Sequence, residues 1–131
     1  MAANIKDPLL LPLYGSATVV ESITKPTGVG AVEAFLGYTR LGALPAADGN
    51  YVAGICTKSS AATNRNMPIA TTGFAIVRVK PAATIALDGA VSIAATGEAI
   101  PAASGYVAGR ALDSSTGSTS QMPQYIVIKL T

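Results

Sequence analysis

The sequence predicts an all-β fold, a small barrel or sandwich built from two similar strand-turn-strand units and preceded by an extended N-terminal arm. Three observations carry this. Short β-rich runs recur along the 131 residues, separated by Gly, Pro, Asn and Asp, the punctuation expected of strands joined by tight turns. No stretch combines a helical apolar period with a capping residue. A block near the middle also returns near the end: Tyr51-Val52-Ala53-Gly54, Ser59-Ser60 and Met67-Pro68 reappear as Tyr106-Val107-Ala108-Gly109, Ser114-Ser115 and Met122-Pro123, all at one interval. Just upstream, Leu44-Pro45-Ala46-Ala47-Asp48-Gly49 answers to Ile100-Pro101-Ala102-Ala103-Ser104-Gly105 at an interval one residue longer, with Asn50 as the extra turn residue. The repeat predicts one unit over about 44–80 and a second over 100–130, within a single β domain spanning 17–131.

Residues 1–16 read as an arm. Pro8 and Pro12 fix their own φ and push Asp7 and Leu11 toward extended geometry, so neither a helix nor a central strand suits Leu9, Leu10, Leu11 and Leu13. Four leucines on an extended tether are costly to leave in water. They either fold back over their own domain or lie in a groove of a neighbouring subunit.

Residues 18–24, TVVESIT, are β-rich, and Lys25-Pro26-Thr27-Gly28 closes them as a turn. Residues 31–38 follow; glycines crowd both ends and no capping residue precedes them, which favours strand over helix. Residues 51–57 form the next strand and 61–66 a polar loop. The clearest strand is 73–80, where Ala75, Val77 and Val79 alternate with Ile76, Arg78 and Lys80, one set buried and the other facing water. Pro81 ends it. Asp88-Gly89 between Ile85-Ala86-Leu87 and Val91-Ser92-Ile93 marks a hairpin or tight turn, and residues 95–98 another turn. Strands at 106–112 and 125–130 flank a Ser/Thr/Gly loop at 113–120. Matching Val77-Arg78-Val79 to Ile128-Lys129-Leu130 predicts that Arg78 and Lys129 face outward while the apolar residues face inward.

Composition narrows the function. Half the residues are apolar but only 5% are aromatic, with no Trp, so the core is filled by Ala, Val, Ile and Leu. Charged residues make up 12%, about half the usual quarter, leaving a surface suited to broad coverage by a partner. Nine basic against seven acidic residues, scattered singly, give a net charge of +2; nucleic-acid binding needs clustered phosphate contacts, and none is expected. No segment approaches the roughly 20 apolar residues of a membrane span. The Leu9 run is short, broken by Pro12, and follows Lys6-Asp7 rather than a purely basic lead, so the product is expected to remain in the compartment where it is made.

Reactive chemistry is sparse. The chain has no His, which removes the commonest general base and most zinc sites. Cys56 is alone in an apolar strand, the setting of a small buried hydrophobe. No carboxylates pair closely in sequence; Glu21 with Glu33, or Asp88 with Glu98, could meet across strands, and both pairs read more simply as surface charge. Gly28-Val29-Gly30 lacks the third glycine of a dinucleotide fingerprint. The repeated serines have no base beside them and suit backbone hydrogen bonding in a loop. Tyr51 and Tyr106 read as packed rings with wet hydroxyls. No enzyme activity, cofactor or metal is expected.

The order Gly73-Phe74-Ala75-Ile76-Val77-Arg78-Val79, Ile85, Val91-Ser92-Ile93, Gly97, Val107-Ala108-Gly109-Arg110-Ala111-Leu112-Asp113 and Ile126-Val127-Ile128-Lys129-Leu130 resembles that of a family of tailed-phage head decoration proteins, also called capsid cement or stabilisation proteins. The likeness covers roughly residues 40–131. It implies a non-catalytic virion protein, synthesised in the host cytoplasm, that binds the outer surface of an assembled shell, often as a homotrimer, and clamps neighbouring major capsid protein subunits. Candidate capsid or inter-subunit contacts are Leu9, Leu10, Leu11, Leu13, Tyr14, Lys58, Arg65 and Arg110. Differences between the copies are where one unit could be specialised: Lys58 against Asp113, Ile55 against Arg110, and a longer loop at 70–73. The competing reading is a glycan or host-surface binding module of a phage tail or fibre, thinly supported by two Phe, five Tyr and no Trp.

Overall fold

A computed structural model describes residues 18–24, 32–59, 66–102 and 104–131. The regular elements of these residues are all strands: β1 (Val19–Thr24), β2 (Gly37–Tyr38), β3 (Gly54–Cys56), β4 (Asn66–Thr72), β5 (Phe74–Arg78), β6 (Ala90–Ile93), β7 (Ala99–Pro101), β8 (Gly109–Ala111) and β9 (Tyr125–Leu130). They form two antiparallel sheets, ordered β1-β4-β3-β2 and β5-β9-β8-β6-β7. The fold class is therefore the all-β one that the sequence predicts. No helix among the described residues is long and apolar enough to cross a membrane. Residues 1–16, with Leu9, Leu10, Leu11, Leu13 and Tyr14, lie outside the described residues, as do the turn at 25–28 and Arg65.

The two sheets share a wiring. In the first, Tyr38 pairs with Gly54, Ile55 with Ala70 and Cys56 with Ile69; in the second, Val91 pairs with Gly109, Arg110 with Lys129 and Ala111 with Ile128. Thus β2, β3 and β4 answer to β6, β8 and β9, with β1 and β5 as matching outer strands and β7 added beyond β6. This register corrects two details of the sequence reading. The strand at 77–79 is the neighbour of β9, with Val77 opposite Ile126, and so is not its counterpart. Met67 sits where the second sheet has Ile126, both buried, whereas Met122 lies in a loop and is 76% exposed.

Strand alternation places the core between the sheets. Ile55 and Ala70 of the first sheet meet Ala75, Val77, Val91, Ile93, Ile126 and Ile128 of the second. Full burial stabilises each Val or Ile by about 1.5–3 kcal/mol. The other face of the first sheet is buried too, with Cys56, Met67 and Ile69 packed under Val32, Leu36 and Tyr38. Cys56 is fully buried, its thiol donating to the Lys58 carbonyl at 3.2 Å.

Two segments differ from expectation, and a third takes one of the two forms the sequence allows. The strand expected over 31–38 is reduced to β2, because the chain turns at Ala34-Phe35 and Phe35 takes a left-handed φ of 70°. That turn is held by Phe35 N–H donating to the Cys56 carbonyl and Arg78 N–H donating to the Phe35 carbonyl. The expected loop at 70–73 is mostly strand, since Ala70 and Thr72 belong to β4; Gly73, at φ 85°, turns the chain into the second sheet. Asp88-Gly89 is a tight turn closed by Gly89 N–H on the Ala86 carbonyl, but no hairpin: β6 pairs with β7 and β8, while Ile85 bridges to Ser115.

Candidate docking surface

The outer face of the second sheet gathers the most distinctive exposed side chains. Residues two apart share a face, so burying Ala75, Val77, Ile126, Ile128 and Ala111 turns Phe74, Ile76, Arg78, Tyr125, Val127, Lys129 and Arg110 outward. Register then sets them in rows across β5, β9 and β8. Phe74 lies opposite Lys129, and Lys129 opposite Arg110. Ile76 lies opposite Val127, whose carbonyl accepts the Leu112 N–H at 2.8 Å. Arg78 lies opposite Tyr125. Ile76, Leu112 and Tyr125 are 44%, 40% and 47% exposed, an apolar patch with the Lys129–Arg110 pair at one end and Arg78 at the other.

The cations at the two ends differ. Arg78 is neutralised: its Nε donates to Glu98 at 3.0 Å and its Nη1 to Glu33 at 3.2 Å. Burial works against its charged form, but the Glu98 carboxylate outweighs this, with help from Glu33, and holds the guanidinium above its ordinary range. This cluster ties the turn at Ala34-Phe35 and the β6–β7 connection to β5. Phe35 extends it by packing edge-on against Tyr125, ring centroids 5.4 Å apart. At the other end, Arg110 Nη1 donates to the Asp88 carbonyl at 3.0 Å. Among the described residues, neither Arg110 nor Lys129 has a carboxylate within ion-pair distance. Like charges directly opposite on adjacent strands are destabilising. A partner supplying carboxylates over this row would relieve that repulsion.

Beside the apolar patch, where β5 faces β3, opens an apolar cleft of about 300 Å³ lined by Phe35, Ile55, Thr57, Phe74, Ile76 and Val127. Three of the four acids that could meet in pairs take arginine partners instead, and Glu98, read as surface charge, is buried. Glu33 and Glu98 converge on Arg78, and Glu21 faces Arg40 at 3.9 Å. Among the described residues no three His, Cys, Asp or Glu side chains could hold a metal ion together. The repeated serines engage backbone and amide groups: Ser59 Oγ accepts the Ala34 N–H and Ser115 Oγ donates to Gln124 Oε1.

Of the contact residues expected from the sequence, Lys58 is exposed just beyond β3 and Arg110 is exposed in β8, on different sheets. The structure adds Lys129, Ile76, Val127 and Tyr125 to the surface around Arg110. The signal for Ile76 is present in the sequence, since it is the one aliphatic residue on the water-facing side of the 73–80 alternation.

No protein-family profile matches the chain, and no curated protein matches it. Among solved structures, the chain is similar to the N base of head fiber gp8.5 of bacteriophage phi29, with a TM-score of 0.61 and 12% identity over 88% of this chain and 95% of the other. That likeness is one of fold.

Proposed function

We propose that this chain is a virion structural protein that docks on the outer surface of a phage capsid and stabilises it by bridging major capsid protein subunits, as a homotrimer and without catalytic activity, cofactor, nucleic acid or membrane. The observation that carries the reading is the fold, shared with the base of a phage head fiber. The order of motifs along residues 40–131, which resembles that of head decoration proteins, points the same way. The face of β5, β9 and β8 supports the location of the contact. Leu112 and Tyr125 give apolar area there, and the Lys129–Arg110 row suits a carboxylate-bearing partner. An interface of ordinary size needs about 800 Å² from each partner, and a surface so poor in charge costs little to desolvate. Lys58, Arg65 and Tyr14 are further contact candidates.

The test adds the purified protein to heads assembled without it and follows their thermal disruption. The reading expects the heads to survive to a higher temperature. An unchanged disruption temperature at saturating protein would overturn the stabilising role. A second reading, a glycan-binding module of a fibre, is favoured by one observation, the 52% exposed ring of Tyr51; glycan binding lost in Tyr51→Ala, without shell binding, would support it instead.

A further inference from the structure

The apolar cleft beside β5 opens next to the point where the described chain begins. Thr18, where the described chain begins, sits on the outer edge of β5: its hydroxyl donates to the Phe74 carbonyl at 2.9 Å and accepts the Phe74 N–H at 3.1 Å. Phe74 is itself a wall of the cleft. Thr18 is thus held at the mouth of the cleft. Leu13 and Leu9 are five and nine residues from Thr18, a reach of up to about 17 and 32 Å of extended chain, ample for a neighbouring cavity.

Composition and backbone chemistry agree with that placement. From Pro8 to Val20 the sequence has no charged residue and contains Leu9, Leu10, Leu11, Leu13 and Tyr14. The cleft is walled almost wholly by carbon, and Ile76 remains 44% exposed at its rim. Along the outer edge of β5, Phe74 engages Thr18, and the Arg78 N–H donates to the Phe35 carbonyl at 2.9 Å. Antiparallel alternation turns the peptide groups of Ile76, midway between them, to the same edge. An extended segment entering here meets both an apolar wall and a strand edge. Tethering makes the encounter intramolecular, with an effective concentration that a separate partner does not match.

We propose that the segment containing Leu9, Leu10, Leu11 and Leu13 occupies the cleft of its own chain, covering Ile76, Phe74 and Val127. This contact is independent of any capsid, so its failure and the failure of the docking role are separately visible. The experiment is methyl NMR on the full chain with leucine, isoleucine and valine methyls labelled. The expected result is cross-peaks from leucines of residues 9–13 to Ile76 and Val127, unchanged on dilution and absent between differently labelled copies in a mixed sample. Leu10→Ser with Leu11→Ser should leave the core methyl spectrum in place and raise the fluorescence of a hydrophobic dye several-fold, and Ile76→Thr should weaken the same cross-peaks. Absence of the cross-peaks in the unmodified chain would overturn the proposal. So would cross-peaks only between copies, which would assign the cleft to a second molecule's segment.

Discussion

The rings of Tyr51 and Tyr106, equivalent members of the repeated block, pack against each other edge to face, with centroids 4.8 Å apart and planes at 65°. The turns that precede them meet as well. Tyr106 N–H donates to the Gly49 carbonyl at 2.9 Å, and Gly49 and Gly105 both take positive φ, 79° and 87°. The two copies of the motif are thus a contact between the sheets, which explains why turn and tyrosine recur together. Edge-to-face pairs contribute about 0.5–1.5 kcal/mol beyond buried area. A double-mutant cycle of Tyr51→Ala and Tyr106→Ala, read by urea unfolding, should give a coupling in that range.

Gly54 and Gly109 open β3 and β8, and each lies where a side chain would strike the opposite strand. A Cβ on Gly54 would fall on the Ala70 carbonyl, and one on Gly109 on the Lys129 carbonyl. Either Gly→Ala change should cost at least about 3 kcal/mol, since backbone must move. Gly117→Ala is the contrast: it has a φ of 79° but nothing within 4 Å, so only the left-handed conformation is penalised, by about 1–2 kcal/mol. Denaturant midpoints of the three variants check the ranking.

Tyr38 lies buried under the first sheet, its hydroxyl accepting the Glu33 N–H at 2.9 Å. Burial raises its pKa above the ordinary 10.0. The folded state therefore holds the phenol proton more tightly than the unfolded chain does. This contribution is fully present below pH 10.0 and is lost as pH rises through the higher folded value. Stability should fall on the alkaline side, and Tyr38→Phe should flatten that fall while costing about 1 kcal/mol at neutral pH for the hydrogen bond removed. Urea midpoints across neutral to alkaline pH measure both effects.

Arg110 separates folding from binding. Replacing it by Glu turns a like-charged cross-strand pair with Lys129 into an opposite-charged one, worth about 0.2–1 kcal/mol in favour of the fold. The same change removes half of the cationic row offered to a partner. Because the change also gives up the Arg110 hydrogen bond to the Asp88 carbonyl, Arg110→Glu should melt close to the unmodified protein in calorimetry, and it should bind heads more weakly.

What could be read from the sequence depended on how local its cause was. The strands β5 and β9 were legible because each alternates over five or six residues, and the outward positions of Arg78 and Lys129 follow from that alternation alone. The strand β4 was hidden by Pro68, which argues against a central strand. It is tolerated because the Pro68 carbonyl accepts from Thr57 N–H at 3.0 Å, one residue past the end of β3. The missing N–H therefore faces a side where the ladder has already stopped. The turn at Phe35 has no local signal, since a left-handed Phe is held there by Cys56 and Arg78 from two other strands. For the same reason Arg110 could be singled out as a difference between copies, but not its row with Lys129 and Phe74, which exists only once register is set. The Arg78 cluster with Glu33 and Glu98 joins three distant segments and is likewise a product of the tertiary fold.

Co-sedimentation with purified heads that lack this protein tests the docking role most directly. The account predicts that the unmodified chain pellets with the heads in saturable stoichiometry, and that Arg110→Glu with Lys129→Glu, folded by calorimetry, stays largely in the supernatant. A folded, unmodified chain that remains in the supernatant at every concentration would contradict it.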